Sequence, residues 1–383
     1  MASAYFTMLL ICFRLSITTV LAHPKQIPLD ASKLEAWIGE NMREFTERKA
    51  QLAQGKNDTV VDHVLAAAED GFRVITVRKD GRGDFKTVTD AVKSIPSGNT
   101  RRVVVKIGGG EYWEKITVER SKDFVTFFGD PFDMPKIVFN GTALHFGTVN
   151  SATVAVESDY FVAANVAFVN SAPMPDGKRL GAQAVAMRIS GDKAAFHNCK
   201  FMGYQDTLCD DKGRHFFKDC YIQGTVDFIF GNGKSLYLRT TIVSVANGLG
   251  VITAQAREQV NDDSGFTFVH CNITGSGDTY LGRAWKERPR VVFAYTYMGT
   301  LINSQGWAAG EQAQNHKYIN CIYALVAFTY MTVYYGEYKC MGPGASSSGR
   351  VKFAKLLSEA EAKPFLSMTY LNGNKWLLPL PNL

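Results

Sequence analysis

Two hydrophobic periodicities divide the chain. Between Ser32 and Leu52 the apolar residues Leu34, Trp37, Ile38, Met42, Phe45 and Leu52 fall on one helical face. This spacing predicts an amphipathic helix, and Ser32 with Glu35 has the spacing of a capping box at its start. Gln54–Asp62 is polar and reads as a linker. Phe85, Val88, Ala91, Val92 and Ile95 predict a second, short helix that stops at Pro96. Beyond it the helical period disappears. Short β-branched or aromatic runs follow, Val103–Ile107, Phe124–Phe128, Thr153–Val156 and Phe161–Phe168, separated by Gly, Asn and Asp.

The strand-like runs resemble one another. Phe196-His-Asn-Cys199-Lys-Phe201 returns as Phe217-Lys-Asp-Cys220-Tyr-Ile222 and as Phe268-Val-His-Cys271-Asn-Ile273. Weaker copies centre on Val166, Thr241 and Thr296, and the centres lie about 21 to 33 residues apart. A period of that length, filled with short strands and turns, predicts a solenoid in which each coil buries its apolar face against its neighbours. The expected fold is all-β, a single-stranded parallel β-helix with short capping helices, the helix before Pro96 covering one open end. A β-propeller or sandwich is the competing reading; the irregular step suits a β-helix with loops of variable length better.

The repeat places two carboxylates in register. Asp206 lies seven residues after Cys199, and Asp227 seven after Cys220. Stacked coils would set their backbones about 4.8 Å apart. Two carboxylates so close cannot both ionise freely, so one is raised as an acid while the other stays a carboxylate. Each sits in a Gly-bounded, otherwise apolar stretch, Gly203-Tyr-Gln-Asp206-Thr-Leu208 and Gly224-Thr-Val-Asp227-Phe-Ile-Phe-Gly231. Gln205 and Gln183 offer neutral amide donors for a developing oxyanion. Arg283, in Leu281-Gly-Arg-Ala-Trp285, can hold one carboxylate bidentately. A lone turn Asp normally caps its own backbone; two in register with amides and an Arg point to catalysis.

Composition narrows the class. The 383 residues are 46% hydrophobic and 20% charged, with 34 Gly, which supports a sizeable core and excludes global disorder. The net charge of +6 comes with no Lys/Arg run, so nucleic acid is not an expected partner, while an anionic polymer is favoured. The first 22 residues are almost wholly apolar and end in Val20-Leu21-Ala22, the pattern of a secretory leader too short to span a membrane. Its removal takes Cys12 and leaves Cys199, Cys209, Cys220, Cys271, Cys321 and Cys340. Cys199 and Cys220 would stack on adjacent coils, at a separation compatible equally with a disulfide or with reduced core thiols. Asn57, Asn140 and Asn272 head Asn-x-Ser/Thr triplets. No His has metal-ligand spacing, and Gly108-Gly-Gly110 lacks the Lys-Ser/Thr of a phosphate loop. No cofactor or metal is expected.

From about Gly71 to Leu378 the chain resembles the plant-type pectin methylesterases (pectinesterases). The motifs that carry the resemblance, in family order, are Gly110-Glu-Tyr-Trp-Glu114, Ser151-Ala-Thr-Val-Ala-Val156, Gln183-Ala-Val-Ala186, Gly203–Leu208, Gly224–Gly231 and Leu281–Trp285. The resemblance implies a right-handed parallel β-helix that hydrolyses methyl esters of polygalacturonate in the cell wall. It implies Asp227 as nucleophile, Asp206 as general acid and base, and Gln183 and Gln205 as oxyanion and substrate amides. Arg283 would bind Asp227 and substrate, Trp285 would be an aromatic platform, and Thr153 would contact substrate. Phe228 and Tyr204 flank the aspartates and are assigned to the cleft lining. The domains expected are a signal peptide over 1–22, an extension over 23–70 and the catalytic β-helix over 71–383. The expected partners are methyl-esterified homogalacturonan and proteinaceous pectin methylesterase inhibitors, with a monomer and no membrane contact.

Three departures from the family pattern stand out. His23–Asp70 is too short for the helical inhibitor-like pro-region of many plant relatives. Ala284 stands where Pro is common. Ile319–Val333 is apolar where the family joins its Gly306-Trp307 and Tyr335-Gly-Glu-Tyr338 motifs through a polar loop. That run is expected to be a surface loop or an unspliced-intron artefact. Two rival functions remain at this level: a glycosidase or lyase on the same architecture, and a non-catalytic wall protein. New reducing ends or unsaturated products would mark the first, and lack of turnover the second.

Overall fold

In the computed structural model, residues 25–53, 62–308 and 332–380 are described. The leader 1–22, Asn57, most of the Gln54–Asp62 linker, Cys321 and most of the Ile319–Val333 run lie outside them. Of that run Thr332 and Val333 are described, and Val333 is buried in the main core.

The short runs become the rungs of a parallel β-helix. One sheet stacks eleven parallel strands, from Arg73–Val77 at one end to Ala354–Leu356 at the other. The other two faces each carry their own parallel ladder. Lys200–Met202 pairs with Tyr221–Gly224 on the second face, and Leu208–Asp210 pairs with Ile229–Gly231 on the third. The long strand Thr241–Gln255 turns the corner and joins both ladders, pairing Thr241 with Tyr221 and Thr253 with Ile229.

Sequence dictates the corners. Asn165, Asn198, Asp219, Arg239, His270, Tyr295 and Lys339 all adopt the left-handed conformation, with φ of 58°, 49°, 57°, 53°, 53°, 52° and 47°. Asn and Asp tolerate this region best; in the later coils the stack itself imposes it. The residue after each corner points inward, which explains why the repeat centres are the small Val166, Cys199, Cys220 and Cys271. The centre assigned to Thr241 is corrected by one place. Lys218 pairs with Leu238, so Thr240, the residue after Arg239, is the equivalent of Cys220. Inside the coils the rings of Phe196, Phe217, Tyr237, Phe268 and Phe293 stack face to face at 4.8, 4.5, 4.5 and 4.5 Å, an arrangement that adds about 0.5–1.5 kcal/mol per pair beyond burial.

The helix Val88–Lys93 buries Val88, Ala91 and Val92 in this core and packs against the first strands, closing that end. Its cap is Thr87, which accepts from the Asp90 amide. The longer helix spans Leu34–Ala53. The expected capping box at Ser32 is corrected: Ala31–Lys33 is a 3-10 turn, and the Asp30 carboxylate accepts from the Ser32 amide at 2.9 Å. Leu34, Trp37 and Ile38 pack on the outside of the eleven-stranded sheet together with Phe365, Leu371 and Trp376 of the C-terminal segment. Ile27 N–H donates to Leu366 O at 2.7 Å, tying the two segments together. They cover the first face. No helix among the described residues is long and apolar enough to cross a membrane.

Cys199, Cys209, Cys220, Cys271 and Cys340 are all free thiols. The alternative left open for Cys199 and Cys220 therefore resolves to reduced core residues. Cys220 Sγ donates to Phe196 O and burial pushes its thiol well above the usual range.

Candidate active site

The turn between the second and third faces carries the chemistry. In successive coils it spans the residues just before Leu208–Asp210 and Ile229–Gly231, whose register pairs Leu208 with Ile229 and Cys209 with Phe230. Asp206 and Asp227 each stand two residues before those partners, and Asp206 N–H donates to Val226 O at 3.1 Å. Both aspartates are left-handed, with φ of 66° and 52°. That conformation turns each side chain out of the coil, whereas Phe228 and Leu208 point inward.

Arg283 reaches the pair from the end of the strand Asn272–Arg283. Its Nε donates to Asp227 Oδ1 at 2.7 Å and its Nη2 to Asp227 Oδ2. A planar guanidinium matches the two oxygens of a carboxylate, so this grip fixes the Asp227 side chain in one orientation. Asp206 makes no such pair. Burial first, and then the charge of Asp227, raise its pKa well above the usual carboxylate range, with Arg283 opposing. Its carboxyl has no hydrogen-bond partner among the described residues, so its proton is available to a substrate or water. The two carboxylates thus differ in their partners: Asp227 is ion-paired with Arg283 and Asp206 is not.

Gln205 precedes Asp206 in the chain, Gln183 lies one coil earlier, and both are half-buried. Their backbones are anchored: Gln183 O accepts from Ala143 N–H at 2.8 Å and Gln205 O from Ala184 N–H at 3.1 Å. Neither side-chain amide has a partner among the described residues, so both are open to an incoming oxygen. Trp285 is 47% exposed and meets Phe230 edge-on at 5.8 Å. Phe230 belongs to an outer apolar strip with Val185, Cys209 and Ala254. Reading the sequence leaves Phe230 out, although alternation along Ile229–Gly231 puts Ile229 in the core and Phe230 on the cleft side.

Two assigned lining residues are corrected. Phe228 is fully buried in the main core, because the turn that points Asp227 outward sends the next side chain inward. Thr153 is also fully buried, and its hydroxyl donates to Val169 O at 2.9 Å, so the backbone claims the group that was to meet substrate. Tyr204 is half-buried, and its carbonyl accepts from Thr225 N–H at 2.9 Å, stitching the two turns together. A pocket by Ile38, Phe216 and Leu377 lies on the first face, beneath the covering segments.

Comparison with known proteins bears on the family and the fold. The pectinesterase family model matches residues 74–374. Putative pectinesterase 63 of Arabidopsis thaliana is 54% identical over 307 residues, covering 80% of this chain and 87% of that protein. Pectinesterase 2 of Olea europaea is 47% identical over 355 residues, covering 92% and 91%. Among solved structures, the pectin methylesterase from carrot superposes with a TM-score of 0.72 at 31% identity, covering 85% of this chain and 99% of that one. A pectin methylesterase in complex with a hexasaccharide matches with a TM-score of 0.65 at 26% identity, covering 82% and 99%. With the parallel β-helix, the stacked aspartates and a family match over most of its length, the chain belongs to the pectinesterase family.

Proposed function

We propose that this protein hydrolyses the methyl esters of pectin with Asp227 as nucleophile and Asp206 as proton carrier. Family membership supports the reaction, and the observation that carries the assignment of roles is the asymmetry between the two carboxylates. Asp227, held by Arg283, attacks the ester carbonyl carbon. The carbonyl electrons move to oxygen, where the Gln183 and Gln205 amides donate hydrogen bonds. As the tetrahedral intermediate collapses, the C–O bond to methoxide breaks and Asp206 gives its proton, so methanol leaves. An acyl-enzyme, an anhydride on Asp227, remains. Asp206, now a carboxylate, takes a proton from water, whose oxygen attacks the same carbon. Collapse frees Asp227 and leaves a galacturonic acid, which gives its proton to solvent, and a protonated Asp206, ready for another turn.

The test is methanol release from methylated pectin by purified protein. Methanol without new reducing ends or unsaturated products is expected; chain cleavage would select the glycosidase or lyase reading instead. The apolar leader supports secretion to the cell wall with a mature chain starting near His23. Asn140 and Asn272 are exposed, as glycan acceptors must be. N-terminal sequencing of protein from tissue checks this: an intact Met1–Ala22 would overturn it.

A further inference from the structure

The cover on the first face does not fill it. A cavity of about 340 Å³ remains between the sheet, the helix Leu34–Ala53 and the C-terminal segment. Its floor is the sheet itself. His197, Phe216 and Lys218 lie on the outward side and alternate with Phe196 and Phe217, which point into the coil core. Ile38 of the helix and Met368 and Leu377 of the C-terminal segment close it with apolar side chains. Small-molecule sites occupy about 300–1,000 Å³, and water gains few partners against walls of this kind.

One polar group in the floor is left unbonded. His197 is only 8% exposed, it lines the cavity, and neither ring nitrogen has a hydrogen-bond partner among the described residues. Burial first, and then the charge of Lys218, lower its pKa to about 4. The imidazole is therefore neutral, with one N–H to give and one lone pair to fill. Buried polar groups are nearly always bonded, so this one points to a ligand atom. The charges at the rim already have partners. Lys218 pairs with Asp219, Asp219 with Arg239, and Arg239 with Glu35 of the helix. An ionic ligand would leave water for apolar walls and charges that are already paired. A hydroxyl suits the imidazole, because it accepts from the N–H form of a nitrogen and donates to the other form. Phe216 meets the His197 ring edge-on at 5.9 Å, so the floor suits a flat aromatic body.

We propose that this cavity binds an uncharged aromatic alcohol, with its ring among Ile38, Phe216 and Leu377 and its hydroxyl on His197. The occupant touches sheet, helix and C-terminal segment together, and so pins the cover to the coils. The proposal is independent of the esterase reading.

Calorimetric titration of the purified protein with 3-phenylpropanol, propylbenzene and 3-phenylpropanoate tests it. The alcohol should bind about three- to tenfold more tightly than the hydrocarbon, which leaves His197 unbonded, and more tightly than the carboxylate. It should also raise the melting temperature as its concentration rises. His197→Phe keeps a ring in place and should erase the alcohol's advantage over the hydrocarbon. Leu377→Trp, at a half-buried edge of the cavity, should weaken alcohol and hydrocarbon alike, and it carries the test should His197→Phe fail to fold. No binding of the alcohol to the wild type overturns the proposal. So does equal affinity for alcohol and hydrocarbon, or an advantage that survives in folded His197→Phe. Unchanged affinity in folded Leu377→Trp places the binding elsewhere and overturns it as well.

Discussion

Asp206 and Asp227 occupy the same position in consecutive coils, both in the left-handed conformation, and only Asp227 is gripped by Arg283. Equivalent backbone places therefore differ in their surroundings: Arg283 holds one carboxylate, while burial and the charge of Asp227 raise the pKa of the other. In the proposed mechanism that difference separates the roles of two otherwise identical side chains.

Asp227→Asn and Asp206→Asn should both nearly abolish methanol release, at different steps. Asn at 227 cannot form the anhydride. Asn at 206 keeps the nucleophile and loses a proton carrier, a deficit of about 10²–10⁴-fold, so it should retain more activity. The double variant should be little worse than Asp227→Asn alone, because the residues act as a unit. Steady-state assays on all three, at matched circular dichroism, check this; near-normal turnover in either single variant would sink the assignment.

Stability should depend on pH through Asp206. Its folded pKa is raised by burial and by Asp227, whereas the unfolded chain has the ordinary value of about 3.9. Below that value both states hold the proton and the full contribution is present. As pH rises toward the folded pKa the unfolded state releases its proton first, so stability is lost across that window and levels off above it. Asp206→Asn removes this loss. Its melting temperature should gain on the wild type as pH increases from acid to neutral. Parallel melting curves across that range would contradict the shift.

The register that makes this pair was legible in the sequence because small inward residues mark each corner: Cys199 and Cys220 announce the period that Asp206 and Asp227 then share. The offset at Thr240 was not legible, since Thr240 and Thr241 are the same residue type and only strand pairing separates them. Nor was the inward turn of Phe228 or the burial of Thr153. The turns break the two-residue alternation of a strand, so facing cannot be counted through them.

Gly224 should be intolerant of a side chain. An added Cβ would lie 2.2 Å from Phe228 Cβ and 2.6 Å from Tyr204 O. Gly224→Ala must push the turn that carries Asp227, at a cost of about 1–3 kcal/mol and, for a displacement near 1 Å, a rate loss of about 10²-fold. Gly248→Ala is the control, since nothing lies within 4 Å of its added Cβ. Melting temperature and kcat should both fall in the first variant and neither in the second.

Reducing agent should not lower the melting temperature. The five described cysteines are free and mostly buried among core residues, so no covalent link among them restrains the unfolded chain. Thermal melts with and without dithiothreitol decide it. A drop of several degrees in the reduced sample would show that a disulfide forms.

Stacking also makes the chemistry a matter of copy number. Val185, Asp206 and Asp227 each precede, by two residues, the mutually paired Met187, Leu208 and Ile229. Excising the coil from Cys199 to Asp219 would seat Val185 beside Asp227 and leave a solitary carboxylate. Duplicating it would line up three acids for one arginine. Inserting a coil between Asp227 and Arg283 would pull the guanidinium out of reach. Gene rearrangements that add or delete whole rungs are thus compatible with catalysis only outside the stretch from residue 185 to 283, and the rod can lengthen or shorten at its two ends alone.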